Sequence, residues 1–140
     1  MIVLDTNVLS ELMSASPQPV VGHWIARQAG RQLFTTSISM AEILQGIEML
    51  PQGKRRTGLT VAAQTMFSGF FPGRVLPFNE DAARAFAPIA ANRRTRGRPI
   101  SLFDAQIAAI ARASGATLAT RDTADFEDCG VRLVNPWVGQ

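Results

Sequence analysis

Short apolar segments alternate with longer stretches of helical periodicity along the whole chain. Strands are predicted at 2–5, 32–37, 73–78, 116–120 and 131–136. Helices are predicted at 6–13, 20–29, 40–50 and 59–70, after a cap at Asn79, and from Ser101 to Gly115. Consecutive parallel strands need such crossover helices, which then cover both faces of the sheet. The sequence therefore predicts an α/β fold, a three-layer α/β/α sandwich around a parallel sheet of four to five short strands.

The length of the chain suits one domain. Its 140 residues can build a single hydrophobic core, and no internal repeat, linker or low-complexity segment divides them. We therefore expect one domain over residues 1–140. No apolar run approaches the roughly 20 residues that a membrane-spanning helix requires. Cys129 is the only cysteine, which excludes an intrachain disulfide, and with no recognisable signal peptide this favours a cytoplasmic protein.

Four acidic residues occupy comparable positions in this predicted fold, where a strand ends or a helix begins. They are Asp5, Glu42, Asp104 and Asp122. In parallel α/β sheets ligands bind beyond the carboxyl ends of the strands, so we expect the four carboxylates to meet at one edge. Each acid also has a simpler explanation. Ser39 and Ser101 precede two of them with the spacing of a helix capping box, and Asp122 is also suited to starting a turn.

Carboxylates that meet in one place repel each other, so they either take up protons or bind a cation. The chain has a single histidine, His23, which we assign to a surface helix, and this leaves oxygen atoms as the available ligands. Such a set selects Mg²⁺ or Mn²⁺ rather than Zn²⁺. These ions, held by carboxylates and water, can align a water and stabilise the leaving oxygen of a phosphodiester.

Basic residues outnumber acidic ones by 14 to 11, and all but one of the basic residues are arginine. Four arginines lie in a predicted loop at 92–99, and Arg121 directly precedes Asp122. Guanidinium groups suit phosphate, and a basic surface suits nucleic acid. Arg96, Arg98 and Arg121 are therefore candidate nucleic-acid contacts, although arginines near a helix end are equally expected as solvated charges.

Four segments carry a recognisable pattern: "VLDTNVLSEL", "SISMAEILQGI", "SLFDAQIAAIARASGATLATRDTADF" and "VNPW". Together they resemble the PIN-domain ribonucleases, most of all the toxins of VapBC-type bacterial toxin–antitoxin modules in their FitB-like branch. The resemblance covers essentially the whole chain. It implies that the family's acidic quartet falls on the four acids named above, and that the protein is a Mg²⁺- or Mn²⁺-dependent endoribonuclease with an α/β/α fold.

The same resemblance implies partners and accessory residues. Family members are commonly homodimers, held inactive by a small VapB-like antitoxin whose C-terminal segment lies in a groove and often places an arginine against the acids. Asp125 matches a possible fifth acid, and Thr120 matches a position where the family often has a small hydroxyl residue near the metal. Asn7 matches the first motif and is expected to order the loop around Asp5.

Two other functions use the same residues. A metal-dependent phosphohydrolase acting on DNA or nucleotides would need the same acids. A non-catalytic interaction module would use them only to bind a basic partner. Both alternatives remain open at the level of the sequence.

Overall fold

All five predicted strands form and pair in parallel. The computed structural model describes residues 1–138, in which the strands are β1 (Ile2–Leu4), β2 (Leu33–Thr36), β3 (Val75–Leu76), β4 (Thr117–Ala119) and β5 (Arg132–Val134). They form one sheet in the order β3-β2-β1-β4-β5, which places β5 at an edge. β1 lies in the centre, and its Ile2 pairs with Leu33 on one side and Thr117 on the other.

Six α-helices cover the two faces of the sheet. They are α1 (Thr6–Met13), α2 (Pro19–Ala26), α3 (Ser37–Glu48), α4 (Lys54–Thr65), α5 (Glu80–Thr95) and α6 (Leu102–Ala113). Successive residues of a strand point to opposite faces. Val3 therefore packs with Ile89 and Ile107 from α5 and α6, while Leu4 packs with Phe67 and the residues of α1 to α4. The predicted three-layer sandwich is confirmed.

Helices begin immediately after strands because the linking residues are good helix caps. Asp5 follows β1 and its side chain accepts a hydrogen bond from the backbone of Thr6. Thr36 ends β2 and caps α3 by accepting from the N–H of Ser39. The capping box predicted at Ser39 is therefore wrong: α3 starts earlier, and Glu42 lies in its second turn rather than its first. A side-chain cap of this kind typically contributes about 1 kcal/mol.

Two basic segments are partly helical. α4 begins at Lys54, five residues before the predicted helix at 59–70, because lysine and arginine have good helix propensity. α5 continues to Thr95, four residues into the predicted loop at 92–99. After α4 the chain widens into a π-helical turn over Met66–Phe70. Within residues 1–138 no helix is long and apolar enough to cross a bilayer.

Candidate metal centre

The four predicted acids line one cavity at the carboxyl edge of the sheet. Its volume is about 300 Å³, and its lining consists of Asp5, Thr6, Asn7, Ser10, Glu42, Asp104 and Asp122. The fold explains the convergence, since Asp5 follows β1 and Asp122 lies shortly after the neighbouring strand β4. Helices α3 and α6 add Glu42 and Asp104 from opposite faces of the sheet.

Asp5 is the most deeply placed of the four. The residue is only 5% exposed, and its backbone N–H donates to the Ala119 carbonyl at 2.9 Å, which extends the pairing of β1 with β4. Its Oδ1 accepts from the Thr6 N–H and its Oδ2 from the Thr120 hydroxyl, both at 2.7 Å. Burial raises the pKa of Asp5 from 3.8 to about 6, against the effect of these hydrogen bonds. The charges of Asp104 and Glu42 raise it further.

Thr120 and Asn7 join the ends of β4 and α1 around this carboxylate. The Thr120 hydroxyl oxygen accepts from the Asp122 N–H at 3.1 Å and from Asn7 Nδ2 at 3.3 Å. Two donors occupy its lone pairs, so its single proton is directed to Asp5. Asn7 Nδ2 also donates to Asp122 Oδ2 at 3.2 Å. The structure thus places both predicted accessory residues in contact with the acids.

Glu42 is held by hydroxyl groups that the sequence interpretation did not single out. Thr6 Oγ1 donates to Glu42 Oε1 at 2.9 Å, and Ser39 Oγ lies 2.9 Å from the same Thr6 oxygen. Burial is the main cause that raises the pKa of Glu42, and the charge of Asp104 adds to it. Thr6 lies between Asp5 and Asn7 in the first motif, which was the available signal for its role.

Asp104 lies in the first turn of α6, as predicted. Its N–H donates to Ser101 Oγ at 3.2 Å, so Ser101 caps the helix. Burial raises the pKa of Asp104, and the charges of Asp125 and Asp122 add to the effect. Asp125 is exposed and does not line the cavity, although it is near enough to influence Asp104. The structure therefore places this possible fifth acid at the periphery.

The cavity suits a hydrated divalent ion. Its possible ligands are carboxylate, hydroxyl and amide oxygens. Burial raises the pKa of three of the carboxylic acids, and repulsion from neighbouring acids adds to the effect; a bound cation favours the charged form of each carboxylate. Among residues 1–138, no three acidic, histidine or cysteine side chains are close enough to form a complete cage on their own. Mg²⁺ typically takes one or two carboxylates and keeps several waters, so it does not need such a cage.

The arginines predicted as nucleic-acid contacts have different environments. Arg93, in the same predicted loop, is 4% exposed and bonds to backbone carbonyls, so it is a structural residue. Arg98 pairs with Glu127 at 3.0 Å, and Arg96 lies 3.8 Å from a carboxylate oxygen of Asp128. Arg121 is exposed and directly precedes Asp122, which lines the cavity.

Both the sequence and the fold are similar to those of known proteins. The PIN domain family matches residues 2–130. A protein of Sinorhizobium fredii named VapC ribonuclease Y4jK is 44% identical over 98% of each chain. Toxin FitB of Neisseria gonorrhoeae is 36% identical, over 98% of this chain and 99% of its own. A solved structure described as FitAB bound to an IR36 DNA fragment matches with a TM-score of 0.90, 36% identity and coverage of 98% of this chain and 96% of the matched one. The chain therefore belongs to the PIN-domain family, among its VapC- and FitB-like toxins.

Proposed function

We propose that this protein is a metal-dependent endoribonuclease and the toxin of a type II toxin–antitoxin module. The observation that carries the proposal is the single cavity lined by Asp5, Glu42, Asp104 and Asp122. Nucleases of this family generally depend on a divalent cation, and the oxygen-only lining favours Mg²⁺ or Mn²⁺ here. The relatives named VapC ribonuclease and Toxin FitB support RNA as the substrate and toxicity as the biological role.

The proposal assigns a role to each acid. Asp5 and Asp104 are direct ligands of the ion, and Glu42 and Asp122 complete the site through water or around a second ion. A bound Mg²⁺ or Mn²⁺ ion would supply Lewis acidity and lower the pKa of a water molecule near the phosphate. Hydrolysis that breaks the bond between phosphorus and the 3′ oxygen would leave a 5′-phosphate and a 3′-hydroxyl.

The hydroxyl and amide side chains hold the acids in position for this reaction. The Thr120 hydroxyl donates to one oxygen of Asp5, and the Thr6 hydroxyl donates to one oxygen of Glu42. These hydrogen bonds restrict the rotation of both carboxylates. Asn7 does the same for Asp122. These contacts place charge before substrate arrives, and such preorganisation is what makes electrostatic stabilisation effective.

The proposal also covers the assembly. The matched structure is of FitAB, and the FitB relative is named a toxin; this supports a small antitoxin, VapB-like in type, as the partner of this chain. We propose a single PIN domain over residues 1–140 that forms a homodimer and acts in the cytoplasm, where the buried thiol of Cys129 stays reduced. Light scattering of the protein alone and with its antitoxin tests the assembly.

The decisive experiment compares two acid-to-amide variants. Asp104→Asn should lose RNA cleavage in Mg²⁺ or Mn²⁺ by at least about a hundredfold, since a direct ligand is removed. Asp81→Asn is the matched control, because Asp81 is an exposed acid in the first turn of a helix and outside the cavity. Structured RNA, single-stranded DNA and a phosphomonoester are offered in parallel. Cleavage of only the DNA or the monoester would indicate a phosphohydrolase rather than a ribonuclease. Cleavage of none of the three substrates would favour a binding module.

A further inference from the structure

The segment after β5 brings a tryptophan against the arginine that precedes Asp122. The guanidinium carbon of Arg121 lies 5.3 Å from the centroid of the Trp137 ring. Trp137 belongs to a short 3₁₀ helix, Pro136–Val138, and packs against the core on the α1 to α4 side. A guanidinium is attracted to the face of an indole, the strongest of the aromatic faces in this respect. The ring therefore restricts where the Arg121 side chain lies.

The backbone of Arg121 is held on both sides by asparagine side chains. Its N–H donates to Asn7 Oδ1 at 3.4 Å, and its carbonyl accepts from Asn135 Nδ2 at 3.3 Å. Asn7 lines the acid cavity and bonds to Asp122 as well. Arg121 is thus fastened to the rim of the cavity by three elements: α1, the end of β4 and the segment after β5.

The charge of Arg121 is available, in contrast to that of its predicted companions. Arg98 and Arg96 lie in ion pairs with Glu127 and Asp128. Within the described part of the chain Arg121 makes no ion pair with a carboxylate, and its side chain is exposed. A planar guanidinium with free donors beside a carboxylate-lined cavity suits a group that carries its own negative charge. Phosphate matches its fork geometry.

We infer that Arg121, seated on Trp137, forms a subsite for a backbone phosphate of the RNA strand next to the scissile bond. The inference rests on the proposed ribonuclease function. Contacts to phosphate position a nucleic acid without reading its sequence, so the subsite contributes affinity and not base preference. Its loss should raise KM and leave kcat and the cleavage pattern nearly unchanged, because the four acids are not disturbed.

The test compares two variants that each remove one exposed arginine that makes no ion pair within residues 1–138. Arg121→Gln is the test, and Arg132→Gln is the control, because Arg132 lies at the start of β5 and therefore at the opposite end of the strands from the cavity. Affinity for a single-stranded RNA is measured in EDTA, where no cleavage occurs, as a function of salt. Arg121→Gln should bind about tenfold more weakly, as expected for a charged hydrogen bond, with a salt slope smaller by about one. Arg132→Gln should stay within about twofold of the parent protein.

Equal losses of affinity in the two variants would overturn the subsite, since only general charge would then be involved. If Arg121→Gln melts well below the control, Arg121→Lys carries the test: it retains the charge and the salt slope, and should bind several-fold more weakly for want of the planar fork. Parent-like affinity of the lysine variant would likewise overturn it. If the parent protein cleaves RNA and Arg121→Gln has the same KM, the subsite is refuted and the ribonuclease proposal stands. If the parent protein neither binds nor cleaves RNA, both the subsite and the ribonuclease proposal are refuted.

Trp137 supplies an independent readout. Trp137→Leu removes the aromatic face and should reproduce part of the affinity loss, whereas Trp137→Phe keeps a face and should retain most of the affinity. In a Trp24→Phe background Trp137 is the only tryptophan, so the tryptophan emission reports on it alone. This emission should change when RNA binds. Emission that stays unchanged at saturating RNA would contradict the placement of the phosphate at this arginine.

Discussion

The hydroxyl of Thr120 donates to Asp5 Oδ2 at 2.7 Å, between residues 115 positions apart in the chain. This bond is buried, and it lowers the pKa of Asp5 against the larger opposite effect of burial. Two donors occupy the other sites of the same hydroxyl, so no rotation of Thr120 can turn its proton elsewhere without loss. Thr120 therefore helps to orient the central carboxylate and partly offsets the effect of burial on its pKa.

Replacing Thr120 with valine tests this relationship. The change removes the hydroxyl that donates to Asp5 Oδ2 and accepts from the Asp122 N–H, which should destabilise the protein by about 1 to 3 kcal/mol. It should also raise the pKa of Asp5 further and weaken Mn²⁺ binding. Thr120→Ser retains the hydroxyl and is the matched control. Urea denaturation and calorimetric titration with Mn²⁺ measure the two effects, and a valine variant that binds Mn²⁺ like the serine variant would contradict the role.

The metal-free protein should lose stability as the pH rises between about 4 and about 6. The pKa of Asp5 is raised to about 6 in the folded state, against 3.8 for the ordinary group. The folded state therefore binds more protons in this window, and the free energy of unfolding falls as they are released. For Asp5 alone the loss between about pH 5 and about pH 7.5 is on the order of 1 kcal/mol. Burial raises the pKa values of Glu42 and Asp104 too, so they act in the same direction.

Urea denaturation in EDTA at both pH values measures this dependence. The comparison is between the parent protein and Asp5→Asn, whose amide does not titrate, so the variant should show a smaller drop. The absolute stability of the variant is not the readout, because its amide must also face the Thr120 hydroxyl. An identical drop in the two proteins would show that Asp5 ionises normally in the fold.

Divalent cations should stabilise the folded protein. An ion that binds only the folded state adds RT ln(1 + [L]/Kd) to the free energy of unfolding, about 2.7 kcal/mol at a hundredfold excess over Kd. Thermal melting with and without Mn²⁺ measures the shift. Asp104→Asn should lose most of it, and Asp81→Asn should retain it. A shift that survives in Asp104→Asn would place the ion elsewhere.

Arg93 and Arg94 are neighbours in α5, and we expect their substitution to affect the stability of the protein very differently. Arg93 Nε donates to the Arg98 carbonyl at 2.7 Å, and its Nη1 donates to the carbonyls of Asp125 and Glu127 at 2.7 and 3.2 Å. Arg93→Met should therefore cost about 2 to 4 kcal/mol, because three backbone carbonyls lose the charged donor that this buried side chain provides. Arg94 is exposed, and Arg94→Met should change stability by less than about 0.5 kcal/mol. Chemical denaturation of both variants checks the contrast, which equal losses would refute.

Local chemistry was enough to predict much of the fold. α1 spans Thr6–Met13 as the sequence indicates, since a polar cap directly follows three apolar residues and helical periodicity directly follows the cap. Asn79 and Ser101 were recognised as caps for the same reason. The cap of α3 was misplaced because Thr36 and Ser39 are both good caps. Which of them caps the helix depends on where β2 ends, and β2 ends at Thr36.

The sequence by itself determined the types of residue at the site, the alternation of strands and helices, and the positions of the four acids at element ends. Only the tertiary structure decided which arginine of the 92–99 segment turns inward, which hydroxyls hold Glu42 and which cation keeps a free charge beside the cavity. Periodicity and capping depend on neighbours within about one helical turn, so a short stretch of sequence is enough to predict them. Burial and ion pairing depend on segments that meet only when the sheet closes, and no local pattern carries that information.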